Sequence, residues 1–168
     1  MRTLAPEAPA PDETPLARDA GAAGPAVYAA SGLSVAAALV HLWATPAHLL
    51  DWWAYGAFFL AVALCQGIFA ALLLRWSGVY PLLVAGITGN LSVVLVFVLT
   101  RTNGLPIGPH AGEVEGAGLL DVAATTAELG VVFTLTALLG GRYRRATVNA
   151  MLALGAALWA LRLAGVIA

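Results

Sequence analysis

Two apolar stretches in the middle of the chain decide its fold: AYGAFFLAVALCQGIFAALLLR at residues 54–75 and VYPLLVAGITGNLSVVLVFVLT at residues 79–100. A helix needs roughly 17 to 25 mostly apolar residues to cross the hydrocarbon core of a bilayer. Backbone groups in lipid must bond to one another, and these ungapped runs lack the alternation of a barrel strand. Each stretch is therefore predicted to be a transmembrane helix.

Three further apolar segments flank this pair, near residues 27–44, 119–140 and 147–167. The chain as a whole is 61% hydrophobic and 10% charged, with a mean hydropathy of +0.88, which is far outside the range of soluble domains. We therefore predict an all-α integral membrane bundle of about five transmembrane helices over residues 27–168, in contact with the lipid bilayer. Its 168 residues leave no room for an additional soluble catalytic domain.

The first 26 residues differ in composition from the rest of the chain. They are rich in Pro, Ala and acidic residues and show no apolar period that could build a core. No basic region directly precedes the first apolar run, as it would in a secretory signal. We expect residues 1–26 to be a disordered cytoplasmic tail and the first apolar run to be a retained helix.

The placement of arginine predicts the orientation of the bundle, because short cytoplasmic loops carry the positive excess. All eight basic residues are arginine. Six of them fall on one side of the predicted helices: Arg2, Arg18, Arg75, Arg142, Arg144 and Arg145. Only Arg101 falls in a loop on the other side. The N-terminus is therefore predicted to be cytoplasmic and the C-terminus outside, in a multi-pass protein of the cell (inner) membrane.

This orientation gathers the histidines and several acids on the outer side. His41 is predicted to lie about one turn below the outer end of the first helix, which Pro46 would end. The outer loops would then carry His48, Asp51, His110 and Glu113.

Imidazole nitrogens and carboxylate oxygens are suitable ligands for Zn or Cu. Convergence of His41, His48 and Asp51, with help from His110 and Glu113, would make a metal site. Haem would need axial ligands on facing elements, and His41 with His110 is the pair that the topology allows. The alternative is that these side chains only occupy the interface or support other residues.

The second outer loop, TNGLPIGPHAGEVEGAG at residues 102–118, holds five glycines and two prolines. This composition predicts a constrained loop that folds back on itself. The loop would close the outer mouth of the bundle, or act as a lid that brings His110 and Glu113 over the polar residues of the helices.

Polar residues also occur inside the predicted helices. Asp121 and Glu128 share one face of the fourth helix, about 3 and 14 Å below the outer boundary, and Arg162 lies between them at about 9 Å. Gln66 and Asn90 fall near the middle of the second and third helices. Because an ionisable group in lipid must be paired, we expect an ion pair of Arg162 with Glu128 or Asp121, either to lock two helices together or as part of a functional site.

Several of these residues form a pattern that resembles a family of small polytopic membrane proteins from GC-rich bacteria. The pattern is HLWATPAHLLDWWAYGAFF from His41, then Gln66, then RTNGLPIGPHAGE from Arg101, then a helix with Asp121 and Glu128. It covers roughly residues 30–140. The resemblance implies the bundle and the outer arrangement of histidines and acids, and it implies no catalytic residue.

Three functions fit these observations. The first is a metal-binding or redox protein that uses the outer histidines and acids. The second is a small transporter or proton-coupled carrier in which Glu128 titrates. The third is a non-catalytic accessory subunit or homo-oligomer, with Ala85 and Gly89 at a close helix contact. The chain has no motif of the familiar soluble enzymes and no basic excess for nucleic acid, so we expect a non-enzymatic protein.

Overall fold

In a computed structural model of the protein, which describes residues 24–166, the chain is helical and the described part contains no strand. The helices are α1 (Pro25–Asp51), α2 (Trp53–Arg75), α3 (Tyr80–Thr102), α4 (Leu119–Leu138) and α5 (Gly141–Leu163). All five are long and apolar enough to cross a membrane, which confirms the all-α prediction of five candidate spans. The predicted tail lies almost wholly outside the described residues.

The helices run alternately up and down, so the bundle has two distinct ends. We call the end with the α1–α2 junction and residues 103–118 the loop end, and the opposite end, which carries Arg75 and Arg142, the arginine end. α1 packs against α2 and α4, and α3 packs against α4. α5 lies at the edge of the bundle, where it contacts α4 and α3, and it buries no residue.

The first helix is longer than its apolar run predicts. It continues through Pro46 to Asp51, so the prediction that Pro46 ends the helix was wrong, and His48 and Asp51 belong to α1 instead of a loop. Proline removes one backbone donor from a helix, and hydroxyl side chains commonly compensate in membrane helices. The bond missing at Pro46 is the one to the carbonyl of Leu42, and the Thr45 hydroxyl donates to the neighbouring carbonyl of His41 at 2.9 Å.

A single extended residue, Trp52, separates α1 from α2. The helices meet so closely beside it that a Cβ atom built on Gly56 would lie 2.8 Å from the Cα atom of Leu49. Glycine at this position therefore allows the tight α1–α2 hairpin. Two serines continue the contact further along, because Ser34 donates to the carbonyl of Gln66 at 2.9 Å and Ser31 to that of Ala70 at 3.3 Å.

The apolar core fills the half of the bundle nearest the arginine end. It is formed by fully or nearly fully buried side chains from α1 to α4 and the residue after α4: Val27, Ala30, Leu73, Leu83, Ile87, Val131, Val132, Leu135 and Leu139. Buried polar side chains dominate the middle of the bundle, and ion pairs lie at the loop end. The bundle therefore changes from apolar to polar along its axis.

Candidate functional site

Each of the four packed helices contributes one polar side chain to a buried cluster. These residues are His41 of α1, Gln66 of α2, Asn90 of α3 and Glu128 of α4, and all four are buried. Counted from the loop end of each helix at 1.5 Å per residue, they lie about 14 to 20 Å deep. This is close to the middle of a hydrocarbon core that is about 30 Å thick. We call these four residues the central polar cluster.

Glu128 is the centre of this cluster. Its side chain is 1% exposed, and its Oε1 atom lies 2.8 Å from Nε2 of His41 and 3.1 Å from Nε2 of Gln66. A carboxylate in such a place is costly unless hydrogen bonds compensate for its lost hydration. The imidazole and the amide provide these bonds from two neighbouring helices.

The remaining bonds hold the amides in place. Gln66 Nε2 also lies 3.4 Å from Oδ1 of Asn90, and Asn90 Nδ2 donates to the carbonyl of Gly86 at 2.8 Å. Ser34 anchors the α2 backbone at Gln66 itself. α1, α2 and α3 are thus all linked through polar groups to the carboxylate of α4.

Two buried atoms of the cluster have no hydrogen-bond partner among the described residues. They are Nδ1 of His41 and Oε1 of Gln66. A buried polar atom without a partner costs free energy, so it calls for an explanation in function or in bound water. Nδ1 belongs to an imidazole whose other nitrogen already contacts Glu128. The ring can therefore accept a proton on one side and give one up on the other.

A second set of contacts joins α3, the following loop and α4 at the loop end. Arg101 places Nη1 2.7 Å from Oε2 of Glu115 and Nη2 2.9 Å from Oδ2 of Asp121. Asp121 also accepts a hydrogen bond from the backbone N–H of Gly118 at 2.8 Å, which caps α4. Arg101 thus has a structural partner on each of the two elements that follow it.

His110 makes the third set of polar contacts. Its Nε2 lies 3.0 Å from Oδ1 of Asp51, at the end of α1, and its Nδ1 lies 3.1 Å from Oε2 of Glu113 in its own loop. The hydrogen bond to Asp51 and then that to Glu113, helped by the negative charges, raise the pKa of His110 above its ordinary value. We call Asp51, His110 and Glu113 the surface triad.

The loop at residues 103–118 folds back on itself, as its glycines and prolines predict. The Gly112 N–H donates to the carbonyl of Leu105, and the Glu115 N–H donates to that of Thr100. Gly108, at φ +95°, packs against Tyr55, whose hydroxyl donates to the carbonyl of Ile107 at 2.9 Å. The loop is thereby attached to α2 and α3 as well as to α1.

Of the five residues predicted to converge on a metal, the structure brings Asp51, His110 and Glu113 together and places His41 and His48 elsewhere. His41 contacts Glu128, His48 stacks on Phe59, and Asp51 joins His110 and Glu113. Residues 24–166 contain no group of three or more His, Cys, Asp or Glu side chains arranged to hold a metal ion. Binding of Zn, Cu or haem by these residues stays a prediction.

The ion pair predicted for Arg162 does not form. Glu128 contacts His41 and Gln66, and Asp121 contacts Arg101. Arg162 lies in the last turn of α5, one residue before the helix ends, so it is shallower than its place in the apolar run predicts. A guanidinium at a helix C-terminus is favoured by the helix dipole and can extend towards the lipid headgroups, so it needs no buried counter-ion.

Sequence reasoning missed two residues of the site. The arginine pattern predicts Arg101 on the outer side but predicts no partner for it, although Asp121 lies at the same end of the next helix. The apolar pattern assigns no role to Phe59, whose ring stacks on His48 at a centroid distance of 3.9 Å and meets His41 edge-on at 5.5 Å. Its position seven residues into α2, opposite the two histidines of α1, could have indicated this contact.

Comparison of the chain with protein-family models, with curated proteins and with solved structures gave no match. The resemblance of residues 30–140 to a family of small bacterial membrane proteins therefore stays a prediction.

Proposed function

We propose that this chain is a multi-pass protein of the cell (inner) membrane that binds and carries protons through Glu128, as a proton-coupled carrier. The observation that supports the proposal is the buried contact between Glu128 and His41, together with a second His41 nitrogen that has no hydrogen-bond partner within residues 24–166. Intramembrane carboxylates next to a histidine are suited to proton relays. In the proposed orientation the arginine end and the N-terminus are cytoplasmic and the loop end is outside.

The proton step uses only groups present in the cluster. It begins with ionised Glu128 and a neutral His41 that donates its Nε2–H to the carboxylate. A proton that arrives at Nδ1 makes an imidazolium next to the carboxylate. Transfer of the Nε2 proton to Oε1 then leaves neutral glutamic acid and neutral imidazole with its proton on Nδ1.

Gln66 fits this step because its side-chain amide has both a donor and an acceptor group next to Glu128, which is charged before the proton transfer and neutral after it. Its Nε2 donates to Glu128 Oε1, and its own Oε1 is a buried acceptor without a partner among the described residues. A fixed dipole of this kind stabilises the carboxylate without offering a titratable group of its own.

The site proposed for the proton is separate from the hollows on the surface of the bundle. Two open apolar hollows lie on the bundle, one of about 540 Å³ lined by Leu39, Leu42, Trp43 and Pro46, and one of about 200 Å³ between α3 and α5. Neither is lined by a residue of the central polar cluster. The cargo coupled to the proton would need a second conformation of the bundle.

The test is proton flux into proteoliposomes that contain a pH-sensitive dye, driven by a potassium diffusion potential. We expect Glu128→Gln to abolish the flux, because the amide keeps the shape of the side chain but cannot take up a proton. Glu115→Gln is the matched control, since Glu115 is exposed in the loop and lies outside the central polar cluster. A wild-type flux above that of protein-free liposomes that stays equal in Glu128→Gln would reject the proposal.

A further inference from the structure

We infer that protons reach the His41–Glu128 pair from the loop end through His48, and that Phe59 is the gate between the two imidazoles. This inference depends on the proposed function, because it assigns the route by which the same site is loaded. It names two residues, His48 on α1 and Phe59 on α2, that a relay of Glu128 and His41 alone does not use.

The packing of the bundle leaves the loop end as the more open side. Between the central polar cluster and the arginine end lies the apolar core, where Leu73, Val131, Val132 and Leu135 are completely buried. A proton moves through water or along titratable groups, and a closely packed aliphatic core offers neither. The core therefore closes this side in the conformation observed.

On the opposite side, titratable groups follow one another along α1. His48 lies seven residues after His41, which is two helical turns and about 10 Å nearer the loop end. Residues seven apart share one face of a helix, so both imidazoles are directed at α2. Asp51, three residues further, belongs to the surface triad with His110 and Glu113. This triad holds protonatable groups where the bundle meets water.

Phe59 lies between the two histidines. Its ring is stacked on the imidazole of His48 with an angle of 16° between the planes, and it meets the imidazole of His41 at 63°. A phenyl ring neither donates nor accepts a proton, so transfer from His48 to His41 requires the ring to move or water to enter beside it. When His48 is protonated, its positive charge is attracted to the face of the Phe59 ring. This attraction holds the two rings in their stacked arrangement, so Phe59 blocks the route until its ring turns.

The gate has a simple sequence of steps. A proton binds at His48 from the loop end while Phe59 covers the ring. Rotation of Phe59 lets water enter and connect His48 with Nδ1 of His41, which has no partner within residues 24–166. His48 returns to its neutral form as His41 takes up the proton, and the Nε2 proton of His41 passes to Glu128. No proton is gained or lost in the transfer.

The experiment uses the full chain in proteoliposomes, with the same flux assay. A positioned proton carrier commonly contributes about a hundredfold or more, so we expect His48→Ala and His48→Gln each to lower the flux by at least about tenfold. Added imidazole should restore flux to His48→Ala, which a purely structural role of His48 would not allow. Phe59→Ala should raise the flux several-fold.

Phe58→Ala is the matched control for the gate. Phe58 precedes Phe59, and its change to Ala removes the same kind of ring. The Phe58 ring contacts Phe59 edge-on at 5.9 Å, whereas the ring that packs on the two histidines is that of Phe59. The proton flux of Phe58→Ala should equal that of wild type. Flux that requires Glu128 but is unchanged in both His48 variants and in Phe59→Ala would overturn the route alone. Flux that does not require Glu128 would overturn the proposed function together with the route.

Discussion

Nε2 of His41 lies 2.8 Å from Oε1 of Glu128, although 87 residues separate the two in the chain. The contact joins α1 to α4, which are not neighbours in sequence. It also places two titratable groups at equal depth, about 15 Å from the loop end. The stability of the bundle and the proposed proton chemistry both depend on this pair.

The first prediction concerns the energy of this contact. His41→Leu should destabilise the bundle by about 1 to 3 kcal/mol, because it removes a partner of a buried carboxylate. The double variant His41→Leu/Glu128→Leu should lose less stability than the sum of the losses in the two single variants, since it leaves no buried carboxylate without a partner. The free energy of unfolding is measured by SDS titration of the protein in mixed micelles.

A second pair checks that this non-additivity is specific. Thr88 is exposed on α3, and its hydroxyl bonds only to its own helix. The effects of His41→Leu and Thr88→Val should therefore add. Simple additivity for His41→Leu and Glu128→Leu as well would mean that the contact contributes no coupling energy.

The lengths of the apolar segments are enough to predict five helices, but they do not predict where α1 ends. The apolar run stops at Pro46 and the polar His48 and Asp51, whereas the helix continues because proline removes only one hydrogen bond. Had α1 been extended to Asp51, His41 would have been placed at the depth of Glu128. The shorter helix that the apolar run predicts places His41 near the outer surface. Arg162 is then the basic residue predicted nearest to the depth of Glu128.

Partners across helices could not be predicted in the same way. A single sequence gives the depth of a residue along its helix, but it does not say which helices are neighbours. The contact of α1 with α4 and the position of α5 at the edge decide that Glu128 meets His41 instead of Arg162. The surface triad also depends on how the loop folds back onto Asp51, which its glycines permit but do not specify.

The second prediction concerns the attachment of the loop by Arg101. Arg101→Gln should speed amide hydrogen exchange over residues 103–118, because it removes both the Glu115 and the Asp121 ion pairs. The side chains of Glu115 and Asp121 are 47% and 36% exposed, so solvent screening limits the loss of global stability to about 1 kcal/mol. Arg142→Gln, at the arginine end, is the control and should leave exchange in the loop unchanged.

The third prediction concerns the closest approach of α1 and α2. Gly56→Ala should destabilise the bundle by about 1 to 3 kcal/mol, because the new methyl group would overlap Leu49 and force the helices apart. Gly89→Ala is the matched control. Ala85 and Gly89 are exposed on α3 and make no close helix contact within residues 24–166, so their predicted contact with another chain stays a prediction; Gly89 has open space around it. Equal losses from the two changes would contradict the tight α1–α2 hairpin.

The last prediction concerns the pH dependence of the loop. The pKa of His110 is raised in the folded protein by its hydrogen bonds to Asp51 and Glu113. The resulting stabilisation is therefore fully present below the unfolded-state pKa, and it is lost as the pH rises through the higher folded-state pKa. An imidazolium donates to both carboxylates, whereas the neutral ring keeps a single N–H and must give up one of them.

Hydrogen exchange over residues 103–118, corrected for the intrinsic effect of pH, should therefore become faster as the pH rises through this range. His110→Gln should remove the transition, because the amide does not titrate. Asp51→Asn should shift the midpoint to lower pH, since it removes the contact that raises the pKa most. Exchange that slows as the pH rises, or a transition that persists in His110→Gln, would show that another group controls the loop and that the surface triad does not hold it to α1.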